Sequence, residues 1–160
     1  MTIRCRPAAL ADLPALAESE ASLNAETAGR LDPTVDLDWP DIDSEDGHGA
    51  HLNDPAWLVL VADEGGTVVG HLAGFVARPP WRTVSVATIF SMHVAEGHRG
   101  VGVGSALMAA FRAWACEHAA GVLEVSTYTE NKAALQFYRR HGFQPYASTL
   151  QQFLTSEPVG

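Results

Sequence analysis

The sequence predicts an α/β fold: a mixed, mostly antiparallel central sheet with flanking helices, in one domain covering residues 1–160. Three observations carry this expectation. Short β-branched runs bounded by turn formers crowd the chain as far as Val94. A glycine-rich turn then leads into an apolar stripe at helical spacing. Beyond it the order strand, helix, strand repeats, which brings a parallel crossover into an otherwise antiparallel sheet.

Ile3 to Arg6 is a short strand that Pro7 ends. Asp12 stands close enough to Pro14 to cap a helix that starts at Leu13 and runs through Leu16, Ala17 and Ala21. Thr27 to Asp54 is the least regular segment. Leu31-Asp32-Pro33, Trp39-Pro40 and the polar run Asp41 to Gly49 read as a short helix set between mobile loops, a place for a lid or an acceptor-recognition surface. Trp57 to Asp63 and Thr67 to Arg78 are two strands joined by Glu64-Gly65-Gly66, a hairpin signal. Pro79-Pro80-Trp81 turns the chain into the apolar strand Val84 to Val94. The following helix presents Ala106, Leu107, Ala110, Phe111, Trp114 and Ala115 on one stripe, and Gly121 stops it. Val122 to Thr127 is the next strand. Asn131 opens a helix that Gly142 ends, with Ala134, Leu135 and Tyr138 on one face. Phe143 to Leu154, with Pro145 near its start, reads as a closing strand.

Composition narrows the function classes. At 47% hydrophobic the chain is globular, and no apolar run is long enough to span a bilayer. The N-terminus lacks a signal-peptide core, and Cys5 and Cys116 are too few for a disulfide framework, so a cytoplasmic protein with reduced thiols is expected. A net charge of −9 argues against nucleic acid as a partner, and no membrane partner is expected. Up to Gly66, fourteen acids face only Arg4, Arg6 and Arg30, whereas beyond it five acids face seven bases. The second half suits an anionic ligand, and the first would suit a cationic one.

The stretch His93 to Leu107, H-V-A-E-G-H-R-G-V-G-V-G-S-A-L, joins strand to helix. Gly100, Gly102 and Gly104 alternate with Val101 and Val103, leaving backbone N–H groups unscreened at the positive end of the helix dipole. Arg99 adds a positive charge beside them, and together these features suit phosphate oxygens. A P-loop would need Lys after Gly104, where Ser105 stands. A dinucleotide fingerprint would need Gly or Ala at Ser105, although Glu124 falls near the separation expected of its ribose-binding acid. A tight turn without a ligand stays open on this stretch alone.

Taken with N-K-A-A-L-Q-F-Y-R-R-H-G-F (Asn131 to Phe143) and the linking strand L-E-V-S-T, the glycine stretch resembles the GNAT superfamily of acetyl-CoA-dependent N-acetyltransferases. Arg99, Gly102 and Gly104 fill the three specified places of that family's Arg/Gln-x-x-Gly-x-Gly/Ala loop. Asn131, Ala134, Tyr138, Gly142 and Phe143 fill its second segment. The resemblance implies acetyl-CoA as co-substrate, with no metal, and a primary amine as acceptor, possessing positive charge if the acidic half receives it. It implies that the strands 84–94 and 122–127 splay to admit the pantetheine arm, which pairs with Met92, His93 and Val94. The diphosphate then lies on the N–H groups of Arg99, Gly100, Val101, Gly102, Val103, Gly104 and Ser105. Asn131 reaches toward the pantetheine, while Ala134, Phe137 and Tyr138 line the thioester end. Tyr138 matches the family's donor to the leaving thiolate.

The general base stays open between Glu124, His93 and a water chain, because the places where some relatives carry Glu or His hold Thr88 and Phe90. Strand alternation puts His93 opposite Met92 and Val94 unless a bulge intervenes. His48 and His51 are expected to be solvated loop histidines, Trp39, Trp57 and Trp81 core or hinge aromatics, and Cys116 a small core residue. Two function classes follow: an acetyltransferase in which a primary amine of a small molecule or peptide attacks the thioester directly, without an acyl-enzyme, or a non-catalytic module that binds or senses acyl-CoA. Homodimerisation is a habit of the family that the residues leave untested.

Overall fold

The computed structural model describes residues 2–39, 41 and 47–155. Its organising strand is β3 (Thr67–Ala77), which lies at the middle of a five-stranded sheet in the order β1-β2-β3-β4-β5. β1 (Ile3–Pro7), β2 (Trp57–Glu64), β3 and β4 (Ser85–Val94) pair antiparallel in sequence order. β5 (Ala120–Val125) joins β4 in parallel after a helical crossover. The expected mixed, mostly antiparallel sheet is therefore what forms. Gly65 and Gly66, at φ of 59° and 92°, make the two-residue β2–β3 turn, whose left-handed pair matches the twist of the strands it joins.

Helices cover both faces because strand alternation makes both apolar. α4 (Val103–Glu117) packs Leu107, Met108 and Phe111 against Leu60, Leu72 and Ile89 on one face. α1 (Leu13–Glu26) puts Leu16 among Val59, Val61 and Ala73 on the other. Gly74 is required for the closeness of α4, since a Cβ there would stand 2.6 Å from the Phe111 ring and 2.4 Å from the Thr88 carbonyl oxygen.

Asp12 precedes α1 as expected but does not cap it. Its carboxylate accepts the Ala9 N–H at 2.7 Å and a two-pronged bond from the Arg6 guanidinium at 2.7 and 2.9 Å. The fork draws the carboxylate to β1 instead of the helix mouth, and Arg6 also grips Asp63 on β2. The Arg6 hydrogen bonds hold the Asp12 carboxyl below its ordinary value, against a smaller opposing effect of burial. A depressed carboxylate contributes stability above its unfolded value near 4 and loses it as pH falls through the lower folded value. Asp12→Asn is thus expected to cost about 2 kcal/mol in urea unfolding at pH 7. The gap to the wild type should close only below about pH 4.

Further expectations are corrected. No strand forms over residues 143–154: Tyr146, Leu150, Phe153 and Leu154 stay exposed, because a strand exists only through its ladder and Pro145 has no N–H to give. Thr27–Asp54 holds two single-turn helices, α2 (Ala28–Leu31) and α3 (His48–His51), and residues 42–46 of the polar run lie outside the described residues. His48 and His51 are buried, not solvated, since α3 turns them inward onto Glu20 and Trp57. Cys116 is exposed and not a core residue; Trp39 and Trp81 are also exposed and stand outside the core, whereas Trp57 does pack, stacked on His51 at 3.5 Å between ring centroids. Cys116 misses the apolar stripe because it follows Ala115, the stripe's buried member, by a 100° turn.

Candidate active site

β4 passes through a single 3-10 turn (Glu96–His98) and a short loop before α4 begins at Val103. Gly100 and Gly102 hold φ of 76° and 94°, a left-handed backbone that other residues reach only with strain. A Cβ at either would meet nothing within 4 Å, so the turn is bare on its outer side. The first intrahelical bond here runs from the Ala106 N–H to the Gly102 carbonyl at 3.0 Å, and no side chain caps Gly102. The N–H groups of Val103, Gly104 and Ser105 consequently precede the ladder, at the positive end of a 15-residue helix.

Gly104 serves a second purpose. A Cβ there would lie 3.1 Å from a Phe137 ring carbon, so the missing side chain is what lets α5 (Lys132–Arg140) close on the mouth of α4. Arg99 departs from expectation. Its guanidinium donates to the Val94 carbonyl at 2.8 Å and to Glu26 of α1 at 2.5 Å, so its charge is already paired on the α1 side. The positive character of the turn comes chiefly from backbone.

β4 carries a bulge at Phe90: Gly74 pairs with Ile89 and Ala73 with Ser91, leaving Phe90 without a partner. The bulge changes which side chains face which layer. Ala87 and Ile89 face the α4 core before it, and Met92 and Val94 face that core after it. Ser91 and His93 turn to α1, where His93 lies 3.1 Å from the Ser19 hydroxyl. Because the bulge precedes Met92, the alternation of Met92, His93 and Val94 is undisturbed and His93 points away from the α4 side. Burial pushes the His93 pKa below its ordinary value, and Glu26 opposes that push.

Pairing of β4 with β5 ends at Ile89–Val125. From Phe90 onward that edge of β4 has no strand partner among the described residues, and Met92, His93 and Val94 lie along it. The two strands part at Phe90, on the stretch of β4 that leads to the glycine turn. Tyr138 of α5 stands on the α4 side of this opening, 4.0 Å from Met92 Sδ, a weak acceptor and its hydroxyl's sole hydrogen-bond partner among the described residues. Burial pushes its pKa up to about 12. Asn131 accepts the Ala134 N–H at 3.2 Å and so caps α5, which leaves its amide nitrogen as the end able to meet a ligand. Gly142, at φ of 90°, closes the same helix, with the Phe143 N–H bonded to the Tyr138 carbonyl at 3.0 Å.

Glu124 occupies the opposite face. Its neighbours Leu123 and Val125 pack into the α4 core, so alternation turns Glu124 toward the α1 side, paired across from Thr88 one step before the strands part. Its carboxylate meets Arg82 at 3.1 Å and borders a cleft of about 470 Å³ with Phe75, Trp81, Thr88 and Tyr146 in its wall. Arg82 also lies over the Tyr146 ring, 5.1 Å from its centroid. Arg82 and Tyr146 do not stand out in the sequence, and Trp81 reads there only as a core or hinge aromatic. Arg82 and Glu124 are 42 residues apart, and nothing local announces a pairing across that separation.

The family model described as Acetyltransferase (GNAT) family matches residues 17–143. The streptothricin acetyltransferase of Streptomyces lavendulae is 36% identical over 115 residues, covering 70% of this chain and 58% of that protein. The chain thus spans less than two thirds of the length of that relative. Among solved structures, a mutant protein from Bacillus halodurans superposes with a TM-score of 0.77 at 20% identity, covering 97% of this chain and 100% of that one. The aminoglycoside acetyltransferase meta-AAC0020 from an uncultured soil metagenomic sample gives a TM-score of 0.69 at 19% identity, with 97% of each chain covered. At such identities the likeness to the solved structures is one of fold.

Proposed function

The chain belongs to the GNAT family of acetyltransferases, and from that premise we propose that it moves the acetyl group of acetyl-CoA directly to a primary amine of a small cationic molecule. The observation that carries the reading is the opening between β4 and β5, with Tyr138 on one face of the sheet and Glu124 on the other. Tyr138 would serve the sulfur of a thioester in that gap as a proton donor, and Glu124 would serve an amine arriving from the opposite face. Streptothricin and aminoglycosides are the acceptors to try first, after the relatives that bear those names.

The chain's own residues fit the coenzyme. The bare glycine turn offers the N–H groups of Val103, Gly104 and Ser105 to a diphosphate, with Arg99, Gly100, Val101 and Gly102 completing the cradle. Along Met92, His93 and Val94 the free edge of β4 offers the Met92 backbone and the Val94 N–H to the pantetheine amides, the Val94 carbonyl being taken by Arg99. Ala134 and Phe137 line the thioester end with Tyr138, and Asn131 reaches the arm through its amide nitrogen. Acetyl-CoA would supply the activated acyl carbonyl. Tyr138, held protonated by burial, donates to the departing sulfur. Glu124 draws the ammonium into the cleft and takes its proton, with Arg82 fixing the carboxylate's position.

Incubation with acetyl-CoA and a panel of streptothricin, aminoglycosides, polyamines and peptides, read by thiol release, tests the proposal. Release with a polycationic amine is expected. Coenzyme A binding without release across the panel would leave a non-catalytic acyl-CoA-binding module instead. Glu124→Gln is expected to lower kcat/KM roughly tenfold at pH 7, at or below the low end of general-base effects because water substitutes in part. The deficit should fade as pH rises and the acceptor amine loses its proton unaided. A deficit constant from pH 7 to 10 would assign Glu124 to acceptor binding alone.

A further inference from the structure

On the α1 face of the sheet, away from the glycine turn, four elements send side chains to one point. His48 Nε2 of α3 lies 2.5 Å from Glu20 Oε1 of α1, and His71 Nε2 of β3 lies 3.0 Å from the same oxygen. Ser91 Oγ of β4 is 2.5 Å from that oxygen and 3.1 Å from His71 Nε2. The two histidines are 3% and 0% exposed, whereas the Glu20 side chain keeps 21% of its surface in solvent. The metal-ligating atoms of Glu20, His48 and His71 all lie within 4.8 Å of one another. We propose that Glu20, His48 and His71 form a binding site for a divalent transition-metal ion of the zinc class, with Ser91 or a water at the fourth position.

Donor chemistry selects the ion. Two imidazoles and one carboxylate are borderline ligands suited to Zn2+, and no thiol stands among them to favour a softer ion. Tetrahedral ligands about 2.0–2.1 Å from zinc stand about 3.3 Å from one another. The His71–Glu20 spacing of 3.0 Å is already close to this, His48 must draw back from Glu20, and the ligand atoms, all within 4.8 Å of one another, must close on a common centre. The exposed side of Glu20 is the way in.

The surroundings support the ligands as well. A metal-bound imidazole donates its remaining N–H to a fixed acceptor. His71 Nδ1 is 2.6 Å from Ser19 Oγ, and His48 Nδ1 is 3.4 Å from His51 Nδ1, whose ring is stacked on Trp57. Ser19 in turn touches His93 Nδ1 at 3.1 Å, and His93 Nε2 is 3.3 Å from both Glu26 and Arg99. This chain of hydrogen bonds can run either way. Without metal, Arg99 donates to His93, His93 to Ser19, Ser19 to His71, and His71 Nε2–H to Glu20. With metal, His71 Nδ1–H donates to Ser19, Ser19 to His93 Nδ1, and His93 Nε2–H to Glu26. In the second arrangement each donor along Ser19, His71 and His93 still has an acceptor, and the His71 Nε2 lone pair is released to the ion with the number of protons along that chain unchanged. A bound ion would clip the single-turn α3 to α1 and β3, next to Phe90 at the bulge, which lies 6.2 Å from His48 between ring centroids.

The test uses the tag-free, chelator-treated chain titrated with Zn2+ by calorimetry, with nitrogen NMR of the histidine rings. One equivalent should bind, and at a free Zn2+ of one hundred times Kd the Tm should rise by about 5–10 °C. On binding, His48 and His71 should show metal-bound Nε2, and His93, outside the ligand set, should change tautomer. Ser19→Ala, which removes the acceptor behind His71, should weaken binding roughly 10- to 100-fold. Glu20→Gln and His71→Asn should weaken it further. Absence of Zn2+ binding, binding that moves only His98 or other surface histidines, or a Ser19→Ala variant of unchanged affinity would each overturn the proposal.

Discussion

Tyr138→Phe is expected to lower kcat about 100-fold or more while leaving the KM for acetyl-CoA nearly unchanged. Burial pushes the hydroxyl pKa up to about 12, so it keeps its proton throughout the working range and has one to give to a departing thiolate. The side chain otherwise meets only packing contacts and the weak acceptor Met92 Sδ, and phenylalanine preserves that packing. Loss of a positioned proton donor costs 10²–10⁴-fold in general. The pH profile supplies the sign. With the pKa raised, no alkaline limb from Tyr138 should appear below about pH 10, and any limb nearer neutrality must come from another group. Single-turnover thiol release separates this from slow product departure. An unchanged chemical rate in the variant would remove Tyr138 from the reaction.

Gly102→Val should act on binding instead of chemistry, raising the KM for acetyl-CoA roughly 100-fold. Gly102 sits at φ of 94°, and a β-branched residue held there is strained by about 1–2 kcal/mol. Since nothing crowds its Cβ position, the free loop can relax toward a right-handed conformation, and binding must then restore the strained one. Relaxation also turns away a backbone donor, and a hydrogen bond to a charged group contributes about 1.5–3 kcal/mol. The two effects together exceed about 2.5 kcal/mol, near a factor of 100 at 1.4 kcal/mol per tenfold. Calorimetric titration of coenzyme A checks it. The Tm of the free protein should fall little, which separates loss of the cradle from loss of the fold.

Both of these residues are legible in the sequence. The glycine turn is legible because its signal is local: three alternating glycines, then a helical stripe, leave the backbone few conformations. The helix carrying Tyr138 is legible for the same reason, with Asn131 at one end and Gly142 at the other. Glu124 was legible only as one candidate among several. Its standing depends on the parity of β5 against β4, on the point where those strands part, and on Arg82, which sequence does not bring near. The bulge at Phe90 is of the same kind, since a single unpaired residue leaves no mark on a hydrophobic run but reassigns every later side chain to the other face.

What the sequence determined alone was the order of the strands and long helices from β1 to α5, both ends of α5, the hairpin at Gly65-Gly66 and the bare mouth of α4, all of which follow from periodicity and from backbone freedom over a few residues. By contrast, α4 itself stops at Glu117, and Gly121, expected to end it, lies inside β5. Tertiary structure decided the rest. It withheld a ladder partner from residues 143–154, so they form no strand. It swung Arg99 from the glycine turn to Glu26, and it buried His48 beside Glu20 and His71. Those outcomes require groups 28 to 73 residues apart to meet. Only the packed chain supplies the partners and the loss of water that make such meetings favourable.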